Sequence, residues 1–384
     1  MSEVAQVTHS SPDGHIPQLR LPQFSHDWAI STIGNLAKID TGNRDTQDRV
    51  NSGKYPFYVR SNTVERINEY AFDGEAILTS GDGVGVGKNF HYVVGKFNYH
   101  QRVYSIHNFT NSTNGKFIYY YFADKFYRRV SRLSAKNSVD SVRMSMISDM
   151  PISIPAKPEQ QKIAAFLTAV DNKIELLRQK QELLGEYKKG LMQQIFSQAI
   201  RFKADDGSDF PDWEEKRLGG CILENQKSQI QVNFVSDNTE RDDVNIYPFF
   251  TSGNKALFTD SPIVEGDNIF LSTGGIATIN FYSGKGSYST DVFCISSVSE
   301  NTRFIYYYLL SILIKIDRKL FYGSGLKHLD KKAFRKIITT LPALPEQTKI
   351  ANFLSSVDSK IEQVGKQLDE SKQFKKALLQ RMFV

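Results

Sequence analysis

The sequence predicts an α+β protein with a pseudo-two-fold internal repeat: two mixed, mostly β globules separated by two long antiparallel coiled-coil helices. The first observation behind this prediction is a repeat. Lys116-Phe-Ile-Tyr-Tyr-Tyr-Phe122 returns 187 residues later as Arg303-Phe-Ile-Tyr-Tyr-Tyr-Leu309, and Pro158-Glu-Gln-Gln-Lys-Ile163 returns at the same offset as Pro345-Glu-Gln-Thr-Lys-Ile350. The second observation is a heptad pattern of apolar residues after each Pro-Glu-Gln. Because solenoid repeats are only ~20–50 residues long, we interpret the chain as a duplicated whole module.

The composition is typical of a folded protein. Of 384 residues, 40% are hydrophobic and 23% are charged, a balance that suits two or three globular domains. The longest apolar stretch, Phe304–Ile314, is shorter than the ~20 residues that cross a bilayer. Residues 1–15 are polar, lack the apolar core of a signal peptide and are expected to be disordered. Two cysteines, Cys221 and Cys294, are too few for a disulfide framework or a structural zinc site. We therefore expect a cytoplasmic protein.

The two globules are predicted to span residues 16–156 and 201–342. Short runs rich in aromatic and β-branched residues, bounded by turn residues, predict strands. These runs include Ala76–Ser80, His91–Val94, Glu265–Leu271 and Asp291–Ile295. Phe117–Phe126 and Phe304–Ile316 are longer and end in basic residues, so they predict helices.

The segments 157–200 and 343–384 are predicted to be long helices. Their apolar residues alternate in steps of three and four over more than four heptads, which indicates an a/d seam. In the first copy the seam residues are Ile163, Leu167, Val170, Ile174, Leu177, Leu184 and Leu191. In the second copy they are Ile350, Leu354, Val357, Ile361, Val364, Leu368 and Leu378. The pattern runs through Lys188 and Lys375 at matching places. An apolar stripe needs a partner, and the repeat helix is the obvious one; packing of each helix on its own globule is the alternative.

The charge distribution favours a polyanionic partner. The net charge is +6, with seven basic residues against two acidic ones in Lys116–Arg143 and eight against two in Lys315–Lys336. Two separated basic segments are consistent with two separated anionic contacts. Solvated helix faces are the alternative explanation.

The sequence carries no recognisable catalytic or metal motif. The glycine-rich run Gly81–Lys88 fails the P-loop pattern at Asp82 and Asn89, so a turn between strands, with or without a backbone contact to phosphate, is expected. Pro211–Lys216 contains pieces of a metal-dependent nuclease site, but they are adjacent in sequence rather than on two neighbouring strands.

The whole pattern resembles the specificity subunit of type I restriction-modification systems. Each globule is followed by Pro-Glu-Gln-x-Lys-Ile-Ala-x-Phe-Leu and a heptad helix, the first ending near Leu191-Met-Gln-Gln-Ile-Phe196, and Phe210-Pro-Asp-Trp213 opens the second module. The resemblance spans nearly the whole chain and is most specific in Pro158–Glu175 and Pro345–Glu362.

This resemblance implies a DNA-binding subunit without catalytic activity. Each globule would be a target recognition domain for one half of a bipartite double-stranded DNA sequence. The helices would set the spacing between the halves and dock two methyltransferase subunits, through which restriction and translocase subunits join. S-adenosylmethionine, ATP and Mg²⁺ would be used by those partners, with no cofactor in this subunit. Two alternatives stay open: a solitary DNA methyltransferase or nuclease with an unrecognised site, and a coiled-coil scaffold that binds only proteins.

Candidate DNA-binding residues follow from the chemistry of recognition. Arginine recognises guanine and asparagine or glutamine recognises adenine, whereas lysine, serine and backbone N–H groups bind phosphates. In the first globule the candidates are Arg60, Ser61, Asn62, Lys88, Asn89, Gln101, Arg102, Lys136 and Arg143. In the second they are Ser252, Asn254, Lys255, Thr273, Ser324, Lys327 and His328. Arg60–Asn62 and Ser252–Asn254 both follow a Tyr-Pro-Phe sequence. An ordinary surface role is the alternative for each residue.

Overall fold

The computed structural model describes residues 16–134, 141–230, 246–253 and 257–383. The predicted disorder of residues 1–15 falls outside this range. The chain divides into two units: unit 1 runs to Arg178 and resumes at Lys366, and unit 2 comprises Gln179–Gly365.

Unit 1 contains the first globule, a mixed sheet covered by helices. Its elements are β1 (Ala29–Thr32), α1 (Ile33–Leu36), β2 (Lys38–Thr41), β3 (Tyr55–Tyr58), β4 (Val64–Ile67), β5 (Phe72–Ser80), β6 (Phe90–Tyr99), β7 (Val103–His107), α2 (Gly115–Leu133), α3 (Met144–Ser148), β8 (Pro151–Ile154) and the start of the long helix α4 (Lys157–Phe196). Six strands form one sheet in the order β2-β7-β5-β6-β3-β4, in which β3 and β6 are parallel and the other neighbours antiparallel; β1 pairs with β8.

Helix α2 supplies the centre of the first core. Phe117, Phe122 and Phe126 are completely buried, and a buried aromatic side chain of this size is among the largest single contributions to a core. Asn114 caps the helix, since its side chain accepts a hydrogen bond from the backbone N–H of Phe117 at 2.9 Å. The predicted helix Phe117–Phe126 and the predicted strands Ala76–Ser80 and His91–Val94 are thus confirmed, within α2, β5 and β6.

Unit 2 contains the second globule. Its elements are β9 (Glu214–Arg217), α5 (Leu218–Cys221), β10 (Ile222–Glu224), β11 (Tyr247–Phe250), β12 (Leu257–Thr259), β13 (Asp267–Ser272), β14 (Ile279–Ser283), β15 (Ser287–Tyr288), β16 (Val292–Ser297), α6 (Thr302–Ser311), α7 (Leu313–Leu320), β17 (Phe321–Tyr322), β18 (His328–Leu329), α8 (Lys331–Arg335), β19 (Ile338–Leu341) and the start of the second long helix α9 (Leu344–Met382). The strands form sheets in the orders β10-β16-β13-β14 and β12-β11-β15, with two-stranded ladders β17-β18 and β19-β9.

The second globule repeats the local structure of the first. Strands β11 and β15 are parallel, as β3 and β6 are. Asn301 caps α6 through a 2.9 Å hydrogen bond from the Phe304 N–H, as Asn114 caps α2. The predicted strands near residues 265–271 and 291–295 are confirmed as β13 and β16. The predicted helix Phe304–Ile316 is confirmed as two helices, α6 and α7, because the chain bends at Ile312.

The two long helices contribute one end to each unit. In unit 1, Lys375 Nζ of α9 lies 2.6 Å from Asp171 Oδ1 of α4, and the Phe383 ring packs on Phe117. In unit 2, Lys188 Nζ of α4 lies 2.6 Å from Asp358 Oδ1 of α9. All of the predicted seam residues are buried or half-buried. None of the helices in the described part of the chain has the length and apolar character needed to cross a bilayer.

Each long helix begins at a bidentate ion pair whose glutamate is buried. Arg20 donates from Nε and Nη2 to the two carboxylate oxygens of Glu159 at 2.7 and 2.8 Å, and both side chains are almost fully buried. Arg201 donates to Glu346 in the same bidentate way, at 2.8 Å to each oxygen. Glu159 and Glu346, which follow Pro158 and Pro345, therefore bind the first turn of each long helix to the segment of chain that precedes its globule.

Candidate nucleic-acid interface

Four loop segments of unit 1 meet around Asp82, and we call them edge 1: residues 59–63, 81–89, 100–102 and 141–143. The backbone N–H of Gly81 donates to Arg102 O at 2.7 Å, and the N–H of Val142 donates to Gly81 O at 2.7 Å. The Asn89 side chain donates to Arg60 O at 3.1 Å. These hydrogen bonds connect loops from different parts of the sequence, so edge 1 is one continuous surface whose loops are held together.

Edge 1 contains the candidate residues of the first globule that the structure describes. They are Arg60, Ser61, Asn62, Lys88, Asn89, Gln101, Arg102 and Arg143. Lys136 lies outside the described residues. The glycine-rich run is a turn between β5 and β6, as the sequence predicts.

Two arginines share one carboxylate at edge 1. Arg60 Nη1 lies 3.0 Å from Asp82 Oδ1, and Arg102 Nε lies 3.8 Å from Asp82 Oδ2. The arginine side chains are 47% and 66% exposed, whereas Asp82 is 25% exposed. Asp82 thus pairs with both guanidinium groups, while a large part of each arginine side chain stays accessible to solvent. Two cations on one carboxylate leave a net positive charge that suits a phosphate or a guanine edge.

Two candidate residues of edge 1 have structural contacts of their own. Asn89 is buried, and its amide donates to Ser80 Oγ as well as to Arg60 O. Because it is buried, the Asn89 side chain holds the glycine turn against the Arg60 loop, and its role as a DNA contact stays a prediction. Gln101 is exposed and donates to Asp45 Oδ2 at 2.9 Å.

Unit 2 has a corresponding surface, edge 2, formed by residues 251–253, 273–278, 289–291 and 323–329. The N–H of Gly275 donates to Lys327 O at 2.9 Å, and the N–H of Leu329 donates to Thr273 O at 3.0 Å. The second of these bonds is the counterpart of the Val142–Gly81 bond at edge 1. Edge 2 borders a cavity of about 530 Å³.

Edge 2 contains the described candidates of the second globule. They are Ser252, Thr273, Ser324, Lys327 and His328. Asn254 and Lys255 lie outside the described residues. Ser252, Thr273 and His328 line the cavity together, so three separate stretches of sequence contribute to one concave surface.

The two edges differ in charge at matching positions. Tyr99 ends β6, which is parallel to β3, and Tyr288 ends β15, which is parallel to β11. Arg102 follows Tyr99 by three residues, and Asp291 follows Tyr288 by three, so the two residues occupy matching positions. Burial alone would raise the pKa of Asp291, but hydrogen bonds from Ser252 and Ser289 hold the pKa below its usual value. Asp291 is therefore a carboxylate at the place where edge 1 has a guanidinium, and the two edges present different chemistry.

The nuclease-like sequence Pro211–Lys216 does not form a carboxylate cluster. Lys216 Nζ pairs with Glu300 at 2.9 Å, and Asp212 is fully exposed beside Arg201. Across the described residues, no group of three or more His, Cys, Asp or Glu side chains has the geometry of a metal site.

Sequence reasoning missed the acidic residues that organise the edges. Asp82 was visible only as a mismatch to the P-loop pattern, and Asp291 only as the first residue of a predicted strand. Their role depends on which arginine or serine folds beside them. The available signal was an aspartate next to a glycine turn at the end of a buried strand, which many loops share.

Comparison with known proteins identifies the family. The type I restriction modification DNA specificity domain matches residues 25–186 and 211–370. The EcoDI specificity subunit of Escherichia coli is 26% identical over 53% of this chain, and the putative MjaX specificity subunit of Methanocaldococcus jannaschii is 28% identical over 66%. The matches cover 44% and 63% of those relatives, so the chain spans less than two thirds of their length.

A solved structure supports the fold. The crystal structure of the type I restriction-modification S subunit from M. genitalium superposes with a TM-score of 0.72 at 17% identity, covering 96% of this chain and 99% of that one. The family domain matches both repeats and most of the sequence. The chain therefore belongs to the type I restriction modification DNA specificity family.

Proposed function

We propose that this chain is the sequence-recognition subunit of a type I restriction-modification complex. Edge 1 and edge 2 would each bind one half of a bipartite double-stranded DNA target. The observation that carries this proposal is the assembly of each edge from four distant loop segments, with exposed cations such as Arg60, Lys88 and Arg102 at edge 1. Arginine and lysine side chains on loops that are held together by hydrogen bonds are suited to contacts with base edges and phosphates.

The long helices would form an antiparallel coiled coil that sets the distance between the half-sites. This proposal rests on the partners seen within each unit. Asp171, near the start of α4, pairs with Lys375 near the end of α9, and Lys188, near the end of α4, pairs with Asp358 near the start of α9. Each helix thus meets the opposite end of its repeat, as an antiparallel pair with pseudo-two-fold symmetry requires.

The outer faces of the helices would dock two methyltransferase subunits. Leu176 and Phe374 of unit 1 are 66% and 53% exposed, and Leu183 and Tyr187 of unit 2 are 64% and 54% exposed. Contiguous exposed apolar patches mark protein interfaces, and these side chains of α4 and α9 are the candidates for such patches. Restriction and translocase subunits would join through these partners, which would use S-adenosylmethionine, ATP and Mg²⁺. This chain would have no catalytic activity of its own and would work in the cytoplasm.

Domain exchange tests the recognition role. Residues 20–155 are replaced by the same segment of a relative, the chain is co-expressed with its methyltransferase partner, and the methylated motif is determined by sequencing. We expect one half of the motif to change while the other half and the gap stay the same. Replacement of residues 206–342 is the matched control and should change only the other half. A change in both halves after either exchange would refute independent recognition.

The enzyme alternative is tested with the chain alone. The purified protein is incubated with DNA, S-adenosylmethionine and Mg²⁺, and methyl transfer and strand cleavage are measured. Turnover without partners would refute the subunit proposal. A purely protein-binding scaffold is tested by DNA affinity of the complex with the methyltransferase, which should fall steeply with salt if phosphates are bound.

A further inference from the structure

Each edge presents one aliphatic side chain to solvent at the tip of its central turn. Val84 is 96% exposed and Ile276 is 75% exposed. Both residues stand four positions after a buried serine that ends the matching strand, Ser80 of β5 and Ser272 of β13. The two serines have matching strand partners: Ser80 pairs with Val103 of β7, and Ser272 pairs with Val292 of β16. The exposed residue therefore recurs at the same structural position in both repeats.

The turn that carries Val84 is held in shape. Gly83 precedes it with a φ of +75°, a conformation that favours glycine. Val86 is buried and donates its N–H to Gly83 O at 3.1 Å. A Cβ at Gly85 would lie 2.9 Å from Arg60 O and closer still to the Asn89 amide, so the turn packs directly on the Arg60 loop. Val84 is thus fixed outward next to the arginines on Asp82.

The turn that carries Ile276 is held in a corresponding way. Gly275 precedes it with a φ of +79°. Ser272 Oγ donates to Ile276 O at 2.9 Å and accepts the N–H of Thr278 at 2.8 Å. Ile276 lines the edge 2 cavity with His328 and Leu326. Two different sequences therefore use a left-handed glycine and a serine-ended strand to expose a β-branched aliphatic residue.

Resting on the proposed function, we propose that Val84 and Ile276 are base contacts that pack against the C5-methyl group of a thymine in the major groove. The occupant follows from the surroundings. Edge 1 places Val84 among cations that suit a phosphate backbone, and the thymine methyl is the aliphatic group that the major groove offers. Full burial of a valine or isoleucine side chain is worth roughly tenfold to a hundredfold in a binding constant, so each tip contributes to recognition of its half-site.

Replacing thymine by deoxyuridine removes only this methyl group. The probe is a duplex with the methylated motif, in which each thymine of a half-site is replaced in turn, and it is bound to the full chain in complex with its methyltransferase. We expect one position in each half-site where the replacement weakens binding about fourfold, the value of one methyl group. Val84→Ala should weaken binding about tenfold and abolish the deoxyuridine effect in one half-site only. Ile276→Ala should do the same in the other half-site.

The matched controls are Val94→Ala in unit 1 and Val298→Ala in unit 2. These valines are 71% and 66% exposed and lie outside the edges. Both variants should bind the thymine and deoxyuridine duplexes with the affinity of the unchanged protein. Val84→Ala with unchanged affinity, or with equal losses on thymine and deoxyuridine duplexes, would overturn the inference while leaving DNA recognition intact. If the complex binds no specific duplex at all, the proposed function itself fails.

Discussion

Lys188 and Asp358 form an ion pair of 2.6 Å between the two long helices within unit 2, and Tyr307 donates its hydroxyl to the other carboxylate oxygen at 2.6 Å. Unit 1 repeats this arrangement with Lys375, Asp171 and Tyr120. Both lysines occupy heptad positions that an apolar residue would normally fill. In the proposed coiled coil, a polar residue at such a position would fix the register and orientation of the helices.

We expect Asp358→Ala to lower the free energy of unfolding by about 2 kcal/mol, because hydrogen bonds to charged groups are worth ~1.5–3 kcal/mol. The substitution leaves the largely buried Lys188 and the Tyr307 hydroxyl without their acceptor. Urea denaturation followed by circular dichroism measures the change. Asp369→Ala removes the exposed Lys372 pair of α9 and should change the value by less than about 0.5 kcal/mol. Equal effects of the two variants would contradict the assigned role.

The buried pair of Arg20 and Glu159 predicts a larger effect. Glu159→Gln keeps the size of the side chain but leaves the guanidinium charge buried without a counter-charge, which costs about 3 kcal/mol or more. The thermal midpoint and the urea midpoint should both fall. Glu65→Gln breaks an exposed pair with Arg49 and serves as the control, with little expected change. If the unfolding midpoints of Glu159→Gln equal those of the unchanged protein, the ion pair does not stabilise the start of α4.

The two arginines on Asp82 predict a defect in sequence selectivity. Arg102→Ala should cost about 1–3 kcal/mol in target binding and relax one guanine position of one half-site. Asp82→Asn should give a weaker loss at the same position, because it frees the guanidinium groups without removing them. Methylation sequencing and binding to single-substitution duplexes read out both variants. Arg49→Ala is the control; a uniform loss on all duplexes for Arg102→Ala would indicate a phosphate contact instead.

Both cysteines should resist modification in the folded protein. Burial raises the pKa of the Cys294 thiol to about 12, despite the opposing hydrogen bond from Asn225, and burial also raises the pKa of the Cys221 thiol. A raised pKa lowers the thiolate fraction at neutral pH, and the thiolate is the reactive form. Labelling with a maleimide at pH 7 should therefore be slow until denaturant is added. Val84→Cys, at an exposed turn, should be labelled rapidly; rapid labelling of the unchanged protein would refute the burial of both thiols.

The proposed ruler predicts a change in the gap between half-sites. Seven residues inserted between Leu177 and Leu184, and seven between Val364 and Leu368, preserve the heptad register. They lengthen the helix pair by ~10 Å at ~1.5 Å per residue, which corresponds to about three base pairs at ~3.4 Å each. We expect a longer preferred gap with weaker binding, since the second half-site also rotates around the duplex. An unchanged gap in the methylated motif, with activity intact, would show that the helices do not set the distance.

The sequence by itself determined the duplication, the long helices and the family. The repeat offset and the heptads can be recognised from the order of the residues alone. A helix turns every third or fourth residue towards the same neighbour, so its buried face is visible as a spacing in the sequence. The helices at Phe117 and Phe304 could also be predicted, from the length of the apolar runs and the basic residues at their ends, although the split of the second into α6 and α7 could not.

Only the tertiary structure decided what surrounds each candidate residue. The sequence has Arg60, Asp82 and Arg102 in three separate loops, and their meeting depends on how β3, β5 and β6 pair. Burial of Asn89 and exposure of Val84 are likewise outcomes of packing, since the polarity of the two side chains predicts the opposite arrangement. The partners of Glu159 and Asp171 lie 139 and 204 residues away, and contacts at that separation are fixed by the fold rather than by any local preference of the chain.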